Sequence, residues 1–245
     1  MNFTDHFRIA KDQEKIVSVA RLVKASTGDF DFYLFAILGI LMAALGLVLD
    51  APEVIIGGML IAPVLYPLLS LSLSIVLSDF SLMYRSIRTL LITFAVSIVI
   101  SFSLAVFLNV VLADFSLGVQ VAARAKPSLM FFLVAFISGL AATYSLVHAS
   151  LNEMLPGVAI SVSLVPPLAV VGIALGSGSP EIAAKSFMLF LLNVVGIALA
   201  SMITFTLIDI HSTKKIALSA VKQEEKRLKE ESEKIEEINH NNNHV

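Results

Sequence analysis

Long apolar runs separated by short polar stretches dominate this chain. Six such runs can be drawn, at about residues 32–49, 54–77, 87–112, 129–148, 154–175 and 183–208. Each has close to or more than the ~20 residues that a helix needs to cross a bilayer. The pattern therefore predicts an all-α, polytopic membrane protein with about six transmembrane helices.

Prolines interrupt two of these runs, the second at Pro63 and Pro67 and the fifth at Pro166 and Pro167. Proline has no N–H, and its ring displaces the carbonyl four residues earlier in a helix. In hydrocarbon such a carbonyl is costly unless protein, water or a ligand satisfies it. Breaks in corresponding places of two halves predict a binding site at the membrane midplane.

The two halves of the chain share an order of apolar segments, prolines and polar residues. Residues 31–113 and 129–208 each hold three apolar segments, and the middle one contains the prolines. Because three is an odd number of spans, the copies are expected to be antiparallel, as in the inverted repeats of many secondary transporters. The corresponding positions are Ala43-Ala44 with Ala141-Ala142, Asp50 and Glu53 with Ser150 and Glu153, Pro63 with Pro166, and Arg85-Ser86 with Lys185-Ser186.

Acidic residues precede both proline-containing segments. The D-x-x-E spacing of Asp50 and Glu53 and the S-x-x-E spacing of Ser150 and Glu153 predict capping boxes where these segments begin. In that role the two glutamates are helix caps near the interface rather than buried functional acids.

Basic residues indicate the orientation. With six spans and the N-terminus inside, all but three of the 17 Lys and Arg residues lie on the cytoplasmic side, and the exceptions are Arg124, Lys126 and Lys185. Cytoplasmic segments carry such an excess. Both termini are therefore predicted to be cytoplasmic, in a multi-pass protein of the cell (inner) membrane. A second segment that re-entered would move Arg85 and Arg88 out of the cytoplasm, so we favour one that spans.

The ends of the chain are more polar. Residues 1–30 contain a short amphipathic helix, with Ile16, Val17, Ala20 and Val23 on one side, which is expected to lie on the inner leaflet. Residues 212–238 are charged and helical in composition, which predicts a solvated cytoplasmic helix. Residues 239–245 are rich in asparagine and are predicted to be disordered.

The candidate site residues are those that shape the two breaks. Prolines expose carbonyls, glycines let backbones approach, and serines and an asparagine offer polar contacts. No Asp, Glu, Lys or Arg falls clearly inside any of the six segments. Coordination by carbonyls, hydroxyls and amides suits a desolvated alkali cation or a neutral solute. The predicted path residues are Gly57, Gly58, Pro63, Pro67, Ser161, Ser163, Pro166, Pro167 and Asn193.

Composition excludes several classes of protein. Hydrophobic residues make up 57% of the chain and charged residues 15%, against roughly 25% charged in globular proteins. With a net charge of −2, nucleic acid is not expected as a partner. Without cysteine there is no disulfide, thiolate zinc site or iron–sulfur cluster, and no cofactor or metal is predicted. No catalytic motif is found, so the chain is predicted not to be an enzyme.

Two longer motifs resemble a prokaryotic family of hydrophobic membrane proteins that is known as domain of unknown function 389. The family's I-G-A-M-L-I-S-P-x-x-x-P run is similar to residues 56–67, with Gly58 in place of alanine and Ala62 in place of serine. Its G-V-A-I-A-x-x-L-V-P-P-L run is similar to residues 157–168, with Ser161 in place of alanine. The resemblance implies a polytopic inner-membrane protein and carries no established substrate or reaction.

The chain is predicted to be a transporter or channel for a small solute or ion, with a midplane site at the two proline-broken helices. One alternative is a membrane scaffold or oligomeric structural protein, in which the breaks serve only packing. Another is a lipid-active enzyme or flippase with a lateral pocket near Tyr144 and His148. The lipid bilayer is the expected partner, and the small residues fit a homo-oligomer as well as packing within one chain.

Overall fold

The computed structural model describes residues 12–25, 27–111, 117–148, 151 and 164–208, and also Lys226 and Glu230. Within these ranges the chain is helical and contains no strand, as predicted. The helices are α1 (Asp12–Ala25), α2 (Phe30–Val48), α3 (Pro52–Ile61), α4 (Leu65–Leu77), α5 (Phe80–Val111), α6 (Val119–Ala123), α7 (Leu129–Val147), α8 (Val165–Gly176) and α9 (Pro180–Leu207).

Four of the described helices, α2, α5, α7 and α9, are long and apolar enough to cross a membrane. α3 and α4 together form a fifth candidate, bent by 50° at a short break. α8 is an apolar helix of 12 residues in the fifth predicted segment, whose residues 154–163 lie outside the described part of the chain. The described residues therefore indicate a multi-pass membrane protein with four or five candidate spans.

α2 and α5 run side by side in the same direction. Just before α2, the Thr27 hydroxyl accepts a hydrogen bond of 3.1 Å from Nη2 of Arg85. Further along both helices, Tyr33 and Thr89 line the same cavity. Because parallel helices start at the same end of a bundle, the chain between them must return along its length. α3 and α4 make this return. The bend of 50° between them is too small to reverse the direction of the chain, so α4 continues in the direction of α3.

α7 and α9 are parallel in the same way. A Cβ on Gly196 of α9 would lie 3.0 Å from the carbonyl oxygen of Phe132 on α7. Further along both helices, a Cβ on Gly139 would lie 2.9 Å from the Cβ of Ala200. Between α7 and α9 in the chain the structure describes the short apolar helix α8, which ends at Gly176, shortly before α9 begins at Pro180.

The two ends of the bundle are named here by the short helices that they carry. The α1 face holds α1, the Thr27–Arg85 contact and the end of α7, where the Ser18 hydroxyl donates to the Val147 carbonyl at 3.4 Å. The α6 face holds α6 and the first turns of α9, where the Ser186 hydroxyl donates to the Arg124 carbonyl at 2.9 Å.

α1 lies against α4 and α7. Its buried residues include Val19, Leu22 and Val23, whereas Val17, which was expected on the apolar side, is 55% exposed. In the charged C-terminal segment the structure describes Lys226 and Glu230, whose side chains form an ion pair at 3.7 Å. The rest of that predicted helix and the predicted disordered tail lie outside the described residues.

The capping box predicted at Asp50 and Glu53 is wrong. An N-cap residue needs an extended backbone, but Asp50 has a left-handed φ of 57° in the turn that ends α2. Its carboxylate instead accepts the N–H groups of Val119 and Gln120, at 3.2 and 2.6 Å, where α6 begins. The serine and glutamate of the second predicted box lie outside the described residues.

The turns that end α4 and α8 have the same geometry. Ser78 and Gly178 are their left-handed residues, with φ of 53° and 70°. In both turns the following N–H donates to the carbonyl five residues earlier, at 2.9 Å in the first and 2.8 Å in the second. This bond is characteristic of the Schellman motif, which ends a helix and satisfies one of its last carbonyls.

α3 packs against α2 with backbone touching backbone. A Cβ on Gly58 would lie 2.6 Å from the backbone nitrogen of Ala43 and from the carbonyl oxygen of Gly39. A Cβ on Gly57 would meet the flexible end of Met42 instead. Of the two glycines expected to let backbones approach, Gly58 lies at such a contact and Gly57 does not.

We expect Gly58→Ala to destabilise the protein by about 1–3 kcal/mol, because the added methyl group must push α2 and α3 apart. Gly57→Ala is the matched control, since the same methyl group there displaces only the pliable side chain of Met42. Thermal unfolding of both purified variants in detergent measures the difference. Equal melting temperatures for the two variants would contradict the close contact at Gly58.

Candidate functional site

Residues 62–64 form the break between α3 and α4. Ala62 has an extended backbone, with ψ of 116°, as the residue before a proline tends to have. α3 ends with a hydrogen bond of 3.1 Å from the Ala62 N–H to the Gly58 carbonyl. The next carbonyl, that of Met59, receives no N–H from its own helix, because Pro63 has none to donate.

The break lies at the middle of the bundle. Gly39 is the tenth of the 19 residues of α2, and a Cβ there would lie 2.7 Å from the backbone nitrogen of Ala62. α2 is itself a candidate span. The break is therefore at the depth that was predicted for a binding site.

Among the four prolines expected to break helices, only Pro63 lies in a break in the described part of the chain. Pro67 is the third residue of α4, and Pro166 and Pro167 are the second and third residues of α8. N–H groups in a first turn have no acceptor within the helix, so proline is tolerated there. In the described residues these three prolines begin helices rather than interrupt them.

A cavity of about 320 Å³, called here the break cavity, extends from the break toward the α1 face. Ile61 and Pro63 line it at the break, and Lys24, Asp29 and Asp31 line it at the α1 face. This geometry joins the end of α3 to one end of the bundle. It also includes charged residues that the sequence analysis did not select, because they lie at the end of α1, before α2 and in the first turn of α2, outside the predicted spans.

The serines that follow the break have partners. The hydroxyls of Ser72 and Ser74 donate to carbonyls of the preceding turn of α4, at 3.1 and 2.7 Å. The Ser86 hydroxyl donates to that of Ser70 at 3.0 Å and ties α5 to α4. These contacts are the structural use of serine within a bundle of helices.

The second half of the predicted site is described only in part. Ser161 and Ser163 lie outside the described residues. Pro166 and Pro167 are buried at the start of α8, and Asn193 is 3% exposed near the middle of α9. The lining of the break cavity includes none of these last three residues. Of the two predicted breaks, therefore, only the one at Pro63 lines the break cavity in the described part of the chain.

α5 carries a row of buried hydroxyl groups that the sequence analysis did not recognise as a row. Its members are at most 5% exposed and recur every three or four residues: Ser86, Thr89, Thr93, Ser97 and Ser101. This is the period at which residues share one face of a helix, so the sequence did contain the signal. The row covers about 22 Å of the helix axis.

The last two members of this row, Ser97 and Ser101, differ from the others. Among the others, the Thr93 hydroxyl donates to the Thr89 carbonyl at 2.8 Å. The hydroxyls of Ser97 and Ser101 have no hydrogen-bond partner within the described residues, although both side chains are buried. Ser101 faces α8, where a Cβ on Gly172 would lie 2.7 Å from the Ser101 Cβ. Buried hydroxyls without a partner are rare enough to mark this part of α5 as a candidate polar path.

An ordered positive charge lies on the α6 face, away from the break. Burial lowers the pKa of the Arg124 guanidinium, and the charge of Asp50 opposes this shift. Nη1 of Arg124 donates to the carbonyl and the side-chain oxygen of Gln120, at 2.9 and 2.7 Å. Since a guanidinium keeps its proton at neutral pH, this group and Asp50 hold α6 in place.

We expect Ser101→Ala to leave the free energy of unfolding unchanged or to raise it by up to about 1 kcal/mol, because the change removes a buried hydroxyl without a partner. Ser201→Ala is the matched control. Ser201 is equally buried, but its hydroxyl is bonded to that of Thr143 at 2.9 Å, and its loss should cost about 1 kcal/mol. Thermal unfolding distinguishes the two, and a larger loss for Ser101→Ala would contradict the assignment.

Comparisons with known proteins identify a family for this chain and assign no activity to it. The model of the family DUF389, described as a domain of unknown function, matches residues 59–199, more than half of the chain. An uncharacterised protein from Methanocaldococcus jannaschii is 32% identical over 173 residues, which are 71% of this chain and 52% of that protein. The chain thus spans about half the length of this relative, and no solved structure matches it. The chain belongs to the DUF389 family.

Proposed function

We propose that this chain is a membrane transporter or channel for a small solute or an ion, and that its site lies at the break between α3 and α4. The break cavity is the observation that carries the proposal, because it reaches Ile61 and Pro63 at the middle of the bundle. Helix ends offer carbonyl and N–H groups that lack partners in their own helix. Discontinuous helices of this kind form the midplane sites of many transporters.

We also propose six crossings in two inverted repeats. The parallel pairs α2 with α5 and α7 with α9 each require one return crossing between them. The turns at Ser78 and Gly178 have the same geometry at positions 100 residues apart. α4 and α8 each pack against both α5 and α9. An inverted repeat predicts these contacts. In such a repeat α4 and α8 each contact the last helix of their own repeat and the last helix of the other repeat, and these last helices are α5 and α9.

The charges around the break cavity favour a cation or a neutral solute. Two carboxylates, those of Asp29 and Asp31, line its outer part with one ammonium group, that of Lys24. At the inner end the ligands available are backbone groups beside Pro63 and the side chain of Tyr66. Carbonyl oxygens coordinate a desolvated alkali cation, whereas a multiply charged anion finds no guanidinium among the described lining residues.

The same cavity supports the proposal of transport over a purely structural role. A scaffold needs a closed, packed interface at the break, but Pro63 is partly exposed and lines open space. At α8 the packing is closed, since Pro166 and Pro167 are both buried. We propose no catalytic role for the chain, and we propose the lipid bilayer as its partner.

Replacing Pro63 with alanine restores an N–H at the break, so α3 is expected to continue and fill the cavity. In proteoliposomes we expect uptake of Rb⁺, or glycerol-driven swelling if the solute is neutral, to fall to the level of protein-free liposomes. Pro52→Ala is the matched control, because Pro52 is an exposed residue at the first position of α3. Undiminished flux in Pro63→Ala, or wild-type flux no greater than the protein-free level for both solutes, would overturn the proposal.

The orientation proposal places the α1 face in the cytoplasm. Because the chain has no cysteine, single cysteines report their location without interference. Lys24 and Lys126 are exposed at opposite ends of the bundle. We expect a membrane-impermeant maleimide added to intact cells to label Lys126→Cys, and to label Lys24→Cys only after permeabilisation. The reverse pattern would invert the topology, and labelling of both without permeabilisation would contradict a multi-pass arrangement.

A further inference from the structure

A second cavity, of about 230 Å³ and called here the arginine cavity, lies at the α1 face between the start of α2 and the first turns of α5. The guanidinium groups of Arg85 and Arg88 and the hydroxyl groups of Thr27, Tyr33 and Thr89 line it. Thr27 lines the break cavity as well, so the two cavities lie on either side of this residue.

The charge of the arginine cavity has one sign. No carboxylate is among its described lining residues, which carry two guanidinium charges. The nearby acids serve elsewhere. Asp29 accepts the Phe32 N–H at 2.9 Å and lines the break cavity, and Asp79 accepts N–H groups in the first turn of α5. An anion in this cavity would meet two guanidinium charges and no carboxylate among the described lining residues.

Hydrogen bonds hold the polar groups of this cavity in position. Nη2 of Arg85 donates to the Thr27 hydroxyl at 3.1 Å, and that hydroxyl donates to the Val23 carbonyl at the end of α1, at 3.0 Å. Tyr33 and Thr89 line the same cavity beside this network. A ligand that binds here therefore loses less free energy to ordering the protein than it would on a loose surface.

The arginine cavity lies where the apolar part of the bundle begins. On α5 no charged residue follows Arg88 through residue 111, and on α2 none occurs in residues 32–49. Tyr33 and Thr89, at or next to the starts of these two stretches, line the cavity. In a bilayer this depth is the level of the lipid head groups, where basic pockets between helices bind lipid phosphates.

We propose that the arginine cavity binds a phosphate group, carried by an anionic phospholipid or free in solution. Guanidinium groups match phosphate oxygens with two parallel N–H donors, and nearby hydroxyls add further donors. The site is distinct from the break itself, because its lining includes neither Ile61 nor Pro63.

Two probes of the purified protein test the proposal. Native mass spectrometry measures retention of phosphatidylglycerol against diacylglycerol, which lacks the phosphate, and isothermal titration calorimetry measures binding of inorganic phosphate. We expect the double variant Arg85→Gln/Arg88→Gln to weaken one of these by at least about tenfold, through the loss of charge-assisted hydrogen bonds. Lys126→Gln removes one charge at the opposite face and is the control.

The outcomes separate the two sources of phosphate. If the double variant loses phosphatidylglycerol retention and the wild type does not bind inorganic phosphate, the cavity is a lipid site. If the wild type binds inorganic phosphate and the double variant does not, the cavity is a site for the free ion. If neither signal in the double variant falls below that of Lys126→Gln, the proposal is wrong. Should the double variant not fold, Arg88→Gln alone must weaken binding, since Arg88 is exposed.

Gly28→Ala tests the cavity without changing charge. A Cβ on Gly28 would lie 2.5 Å from the Tyr33 hydroxyl, so the methyl group displaces that ring within the cavity. We expect this variant to weaken the same signal as the double variant while its melting temperature stays close to that of the wild type. Full binding by Gly28→Ala, combined with a loss in the arginine variants, would assign the effect to surface charge and overturn the cavity as the site.

Discussion

An apolar environment requires each backbone N–H and carbonyl to find a partner inside the protein, and Pro63 is where this chain cannot meet that requirement within one helix. The long helices α2, α5, α7 and α9 satisfy their backbones internally. At residues 62–64 the bonding stops, and the helix ends face α2 on one side and the break cavity on the other. Gly39 and Gly58 bring the two backbones into contact just before the break and so fix its depth.

Hydropathy located the helices because the thickness of a bilayer sets the length of an apolar run. The fourth predicted segment, 129–148, and α7, Leu129–Val147, differ by one residue. The second segment ends with α4 at residue 77. The proline between the half-helices also placed the break, since the absence of an N–H is a local property of one residue. Features that depend on length or on one residue's chemistry were therefore predictable.

Features that depend on which neighbour a residue meets were not predictable. Asp50 has the spacing of a capping box, but its partners lie 69 and 70 residues further along the chain. Gly57 and Gly58 are adjacent in the sequence, and only the side of α3 that packs against α2 distinguishes them. Pro67 resembles a helix breaker until the position of the first turn of α4 is known. The cavities could not be foreseen either, because residues before α2 form part of their walls.

The shared wall at Thr27 links the two cavities through electrostatics. The two cavities adjoin each other, since Thr27 lines them both, and charges act over ~10 Å at moderate ionic strength. The guanidinium groups of the arginine cavity oppose a cation that approaches Asp29 and Asp31. A bound phosphate would cancel that opposition and raise the affinity of the break cavity for a cation, whereas it would lower the affinity for an anion. Reciprocity of binding free energies then requires that a cation at the break strengthen phosphate binding by the same factor.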